Sequence, residues 1–324
     1  MNKVLATSSL VVALATVMLT VPPLRAEPSP MVISDVPLRS DRTIVLAAEV
    51  RGKYVLAGGE RGAIFVSEDG GIKWEGFRAQ KTTRTLTSVV AFDDKTWIGA
   101  GHGGVLLRSE DGGKPGTAKL IETEAGKDSF LGLTILGPSS VIAYGAFGLM
   151  IRSDDTGRTW KRQQVIDKDF DRHINRVIAS TDMLLLVGES GTLAKSTDAG
   201  LTWTKLASPY EGSYFGATMT PSGAALIFGM RGNIFRSADK GASWQKIEVP
   251  TKLPFFSATK LRDGAIVLAG GQGWVAISRD DGQSFKLKRV ASKSTAGLFE
   301  RTDGTLVVYG EQGIRPVPAE TLKN

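Results

Sequence analysis

The feature that most constrains this chain is a short motif that returns at a nearly fixed interval. Ser-x-Asp-x-Gly-x-x-Trp occurs as Ser67, Asp69, Gly71 and Trp74, and again as Ser153, Asp155, Gly157 and Trp160. It recurs as Ser196, Asp198, Gly200 and Trp203, and as Ser237, Asp239, Gly241 and Trp244. Two copies are degraded: Ser109, Asp111 and Gly113 with Gly116 in place of Trp, and Ser278, Asp280 and Gly282 with Phe285 in its place. The serines step by 42, 44, 43, 41 and 41 residues. A period of this length marks one supersecondary unit laid down repeatedly.

A second motif, Gly-x-x-Gly, precedes each copy by a constant offset. Its second glycines are Gly62, Gly104, Gly148, Gly191, Gly232 and Gly273, and a seventh, Gly313, follows Gly310. Pro318 then stands where a serine would be, so there are seven units and the last is incomplete. Within one unit, Ile174–Ala179, Met183–Gly188, Thr192–Ser196 and Trp203–Leu206 are short runs broken by turn signals. Such runs are strands. Four strands per repeat of about forty residues define the blade of a β-propeller. The expected fold is an all-β, seven-bladed propeller over residues 27–324. The seventh unit supplies three strands, Gly297–Phe299, Leu306–Tyr309 and Ile314–Val317. The segment Met31–Leu38, ahead of an inner strand at Thr43–Val50, is expected to complete it and leave no open edge.

The box motif reads as a fold element. Asp accepts backbone N–H groups in a tight turn and Gly supplies a positive φ. Trp buries a ring against the next sheet, and its N–H needs a partner there.

The N-terminus has a charged start, an apolar run from Val4 to Val21, and Ala26 after Pro22-Pro23. This is the pattern of a cleaved secretory leader, residues 1–26, and implies a periplasmic protein. No later stretch is apolar enough to span a membrane, so the chain is at most peripheral to one. There is no cysteine, which excludes a disulfide framework, thiol catalysis and a zinc–thiolate site. The net charge of +7 falls to about +5 without the leader. A mild, dispersed positive excess suits an acidic protein or membrane surface. No dense basic run or stacking platform suggests nucleic acid. The only histidines, His102 and His173, have no ligand-spaced partner, and no cofactor motif is present. No catalytic residue and no metal site is assigned, and a monomer is expected.

Propellers bind over the channel mouth, where variable loops converge. On that face the Gly-x-x-Gly turns contribute Glu60, Arg61, His102, Phe147, Glu189, Met230, Arg231, Gln272, Glu311 and Gln312. The links between blades contribute Arg84, Phe130, His173, Arg176, Tyr214, Phe215, Phe255 and Phe256. Phe130, Phe215 and Phe256 could equally be core, since strand alternation turns some aromatics inward. Of these residues, Arg61, Arg84, His173, Arg176 and Arg231 are candidate partner contacts. A basic row, Arg108, Arg152, Lys195 and Arg236, sits immediately before four box serines. Two roles are open to it: a basic arc for an acidic partner, or strand residues whose stems cover tryptophan rings.

Two segments carry a family resemblance best: Gly145–Trp160 (GAFGLMIRSDDTGRTW) and Gly229–Trp244 (GMRGNIFRSADKGASW). Over roughly residues 40 to 315 the chain resembles the photosystem II stability/assembly factor family of Asp-box propellers, in its non-photosynthetic bacterial form. The resemblance implies a non-enzymatic scaffold that binds a membrane-complex subunit or transporter domain through an arginine-rich patch. The matching positions are Arg108, Arg152 and Arg236, with Lys195 in the same row. The alternative is a glycan-acting hydrolase or carbohydrate-binding module. Sialidases also carry Asp boxes, but they resemble six-bladed rings with a Phe/Tyr-Arg-Ile-Pro segment, and this chain has seven units and reads Arg42-Thr-Ile-Val there.

Overall fold

The computed structural model describes residues 37–79, 82–113, 117–318 and Thr321. It is a seven-bladed β-propeller of antiparallel sheets, six four-stranded and one three-stranded among the described residues. Blade 4 shows the plan: inner strand Ile174–Ala179, then Leu184–Gly188, Leu193–Ser196 and a two-residue outer strand Thr204–Lys205. These bounds follow the expected runs within a residue or two. The other inner strands are Val45–Arg51, Leu86–Ala91, Phe130–Ile135, Tyr214–Met219, Phe255–Lys260 and Thr295–Glu300.

The core is divided among the joints. Seven apolar clusters each draw on two adjacent blades. One of them packs Phe299, Val307 and Ile314 of blade 7 against Val45, Val55 and Phe65 of blade 1. That cluster seals the ring. The expected closing strand falls mostly outside the described residues, at 31–36. What is described is its approach: Leu38 packs into the same cluster, and the Ser40 carbonyl accepts the Ile314 N–H at 2.8 Å. Gly313 has φ +74, and a Cβ there would lie 2.2 Å from the Ser40 oxygen. Gly148 is used the same way in blade 3, where a Cβ would meet the Phe170 carbonyl at 2.3 Å. In blades 1, 2, 3, 5 and 6 the Gly-x-x-Gly turn is a single 3₁₀ turn, over which the link to the next blade is laid.

The box turns also take one form. In all six, the Ser Oγ donates to the Asp carboxylate at 2.7–2.9 Å and accepts the Gly N–H at 2.7–3.2 Å. Trp160 Nε1 donates to the Gly157 carbonyl at 3.1 Å. The expectation that each buried tryptophan N–H finds a partner fails at Trp203 and Trp244, whose Nε1 atoms are buried without one. Ring burial between blades outweighs that lost bond: a large ring removes more apolar surface than one neutral hydrogen bond contributes net.

One regular feature was not legible as a motif. Every inner strand slips its register against the second strand between its first and third residues. The unpaired second residues are Leu46, Thr87, Leu131, Asn175, Phe215, Phe256 and Ala296. Each is a β-bulge, a device that re-aims a side chain and stops the ladder. All seven line the central channel, a cavity of about 1020 Å³.

Candidate functional site: the channel mouth

Two faces bear on function, and they differ in how fully their polar groups are used. On the box face the aspartates are committed. Asp198 accepts the Thr202 hydroxyl and N–H, and Asp239 accepts the same pair from Ser243. Hydrogen bonds from those side chains, then from the backbone, hold both carboxyls down at about 2.

The basic row is committed as well. Arg108 is 7% exposed and donates from Nε to the Thr156 carbonyl of the next blade at 2.7 Å. Arg152 reaches the Ala199 carbonyl at 2.6 Å, and Arg236 reaches the Asp281 carbonyl at 3.0 Å and its carboxylate at 2.6 Å. Thr156, Ala199 and Asp281 each occupy the place between Asp and Gly of a box, with φ of 57, 57 and 61. The left-handed turn aims a carbonyl outward, and the preceding blade's guanidinium caps it. Lys195, in the same row, makes no such bond. Of the two roles open to the row, a solvent-open basic arc does not describe Arg108, Arg152 and Arg236. Their fork-shaped heads are spent between blades rather than held open to solvent.

The opposite face is different. Arg61, Phe147, Ser190, Arg231 and Gln272 occupy the tips of the Gly-x-x-Gly turns with φ between 50 and 57. A bulky residue in this region is unusual and carries a strain cost. Phe147 is nonetheless 60% exposed. Its ring meets His173 edge-on at 4.9 Å, and the His173 Nδ1 accepts the Phe147 N–H at 3.4 Å. His173 Nδ1 also lies 3.5 Å from the Glu189 carboxylate. Arg84 lies exposed against Gly103, and Arg231 and Met230 are exposed at their turn.

Inside the mouth, the bulges sort the aromatics. Phe130, Tyr214 and Phe255, at the first inner-strand positions, are buried core. Phe215 and Phe256, one residue later, face the channel with ring centroids 6.0 Å apart. Core packing is thus right for Phe130 and not for the other two. The missed signal lies in the doublets Phe130-Leu131, Tyr214-Phe215 and Phe255-Phe256. Two adjacent apolar residues cannot share one side of a regular strand.

Deeper in the channel stand Glu49, Arg176 and Tyr309. Burial pushes the Glu49 carboxyl up to about 7, against the pull of Arg51 and Arg176. Burial also raises the Tyr309 phenol. Among the described residues no group of three or more His, Cys, Asp or Glu could hold a metal, and no helix is long and apolar enough to cross a membrane.

This geometry defines a class: a closed propeller whose box face is internally satisfied and whose channel mouth is not. Residues 140–262 match a family described as the DUF6242 beta propeller domain. No curated protein sequence matches the chain. Among solved structures, YCF48 from Cyanidioschyzon merolae is similar at a TM-score of 0.70 and 16% identity, covering 88% of this chain and 98% of that one. YCF48 bound to D1 peptide is similar at 0.68 and 18%, covering 86% and 94%. An ancestral GH74 enzyme is similar at 0.66 and 11%, and the match spans 87% of this chain but 46% of the enzyme. Likeness at these identities establishes the fold.

Proposed function

We propose that this chain is an exported, non-enzymatic interaction factor that grips a protein partner over the mouth of its channel on the Gly-x-x-Gly face. The observation that carries this is the exposed aromatic ring of Phe147, kept at a strained backbone position beside His173. An exposed ring in a left-handed turn adds little to the fold beyond its edge-on contact with His173. Met230, Phe215 and Phe256 extend apolar surface around the same face, and Arg61, Arg84 and Arg231 lie on its turns and links. Aromatic and arginine side chains are the types enriched at protein interfaces. A similar propeller, YCF48, has been solved bound to D1 peptide, which supports a partner of protein chemistry. A subunit or transporter domain of a membrane complex fits the leader-like N-terminus, which argues for the periplasm.

A photo-cross-linker placed at Phe147 and, separately, at Ile72 on the box face tests this in intact cells. Phe147 is expected to give one dominant protein adduct and Ile72 none. Matching adducts from both faces would reject the assignment. A glycan-acting hydrolase, the contrary possibility, is tested by turnover of chromogenic glycosides. Hydrolysis above background by the purified chain, abolished by Glu49→Gln, would replace the scaffold with an enzyme.

A further inference from the structure

The third position of the inner strands is small in six blades: Ala47, Ser88, Gly132, Gly216, Ser257 and Gly297. In blade 4 it is Arg176. The reason for small residues is visible in three blades. A Cβ on Gly132, Gly216 or Gly297 would fall within 2.4 Å of the ring of Tyr144, Phe228 or Tyr309 on the second strand. Blade 4 carries Val187 opposite Arg176, and no ring fills that space. The side chain instead lines the channel and is exposed there. Its charge is felt by Glu49 and Tyr309, which belong to blades 1 and 7 across the ring. Yet among the described residues Arg176 makes no ion pair and no side-chain hydrogen bond, unlike Arg108, Arg152 and Arg236.

A guanidinium with no hydrogen-bond partner among the described residues has donors to offer a ligand that enters the cavity. Its planar fork matches a carboxylate at two points. The Asn175 side chain donates to the Tyr214 carbonyl at 2.7 Å, so the starts of the blade 4 and blade 5 strands are adjacent. Phe215 follows Tyr214 on that strand, its ring 6.0 Å from that of Phe256, and both rings line the same cavity as Arg176. Glu49 and Glu311 also line the cavity, together with Lys260 and an Arg262–Glu300 pair at 3.0 Å, so phosphate is a needed control for the carboxylate.

We propose that the channel mouth is a carboxylate site, in which Arg176 binds the carboxylate through paired hydrogen bonds and Phe215 and Phe256 cover the apolar group attached to it. A small organic acid and the free end of a peptide both carry this chemistry. The proposal names the chemistry of the binding face argued above and rests on that assignment.

The test is titration of the purified chain, followed by NMR. The probes are N-acetylphenylalanine and its amide, N-acetyl-Gly-Gly-Gly-Phe as acid and as amide, and inorganic phosphate. Acids should bind about tenfold or more tightly than their amides, the scale of one lost charged hydrogen-bonded pair. Arg176→Gln should erase that difference, Arg176→Lys should keep part of it, and Lys161→Gln, on an exposed outer strand, should leave it intact. A tighter tetrapeptide acid identifies a peptide end as the source, and equal binding identifies a small acid. Amides binding as well as acids, acids unaffected by Arg176→Gln, phosphate binding best, or no binding by any probe would each overturn the carboxylate site. The protein-binding face is judged by the Phe147 and Ile72 cross-links and not by these titrations, so the two fail separately. Among the described residues the Arg176 side chain makes no hydrogen bond or ion pair, and unchanged melting of the Gln variant checks that the fold does not need it.

Discussion

The two faces of the ring are built from the same repeat and treat polar groups in opposite ways. On the box face, serine, aspartate and glycine satisfy one another, and arginines reach over to cap the next blade's turn. On the other face, turn tips carry exposed Phe147, Met230 and Arg231, and the Arg176 side chain lines the channel with no partner among the described residues. The difference teaches where to look for function in a repeat fold. Recurrence marks what the ring needs, and departure from recurrence marks what one particular ring uses. The four box tryptophans recur, whereas Phe147 and Arg176 each occur once among seven equivalent places.

Four substitutions break or sharpen this contrast. Trp203→Ala should cost about 3–5 kcal/mol, because the ring is buried between blades 3 and 4 against Tyr144 and Leu184. Chemical denaturation measures it, and a loss under about 1 kcal/mol would undo the structural role of the boxes. Arg108→Met keeps the stem but strips the Thr156 carbonyl of its donor, and should cost about 2 kcal/mol with Phe147 cross-linking unchanged. Lost cross-linking at unchanged stability would return the basic row to partner binding.

Glu49→Gln should stabilise the chain by about 1–2 kcal/mol above pH 7, a value discounted for water in the channel. The sign follows from a folded-state pKa of about 7, raised from an ordinary 4.5 by burial. Below pH 4.5 the group is protonated folded or unfolded and contributes nothing. Between 4.5 and 7 the unfolded chain ionises first, so stability falls as pH rises, and the penalty is complete above 7. The Gln variant should flatten that part of the curve. The smallest effect is the most telling: Phe147→Gly should raise stability by about 1 kcal/mol by relieving φ of 51, while weakening partner capture. A variant that is both less stable and fully active would make Phe147 a fold residue.

The fold was legible because its instructions are local. A box needs Ser, Asp, Gly and Trp at fixed offsets in one turn, so Ser153, Asp155, Gly157 and Trp160 announce themselves. The candidate binding face was legible only as a set of turn and link residues that included Phe147, His173 and Arg176. What escaped is set by pairing between distant strands. The Arg108 clamp joins residues 48 apart in the chain, and nothing near Arg108 marks Thr156 as its acceptor. The bulge at Phe215 depends on register against Phe228 and Gly229, which no short window contains.

Those bulges carry a consequence for how such a molecule can diversify. The residue at each bulge leaves the hydrogen-bond ladder, so its side chain can be exchanged without disturbing the strand pairing that supports it. Leu46, Leu131, Phe215, Phe256 and Ala296 are thus editable letters written around one opening, whereas Thr87 and Asn175 also bond to the next blade's inner strand. Mutation can respell the word they form while the wheel beneath keeps turning out the same shape.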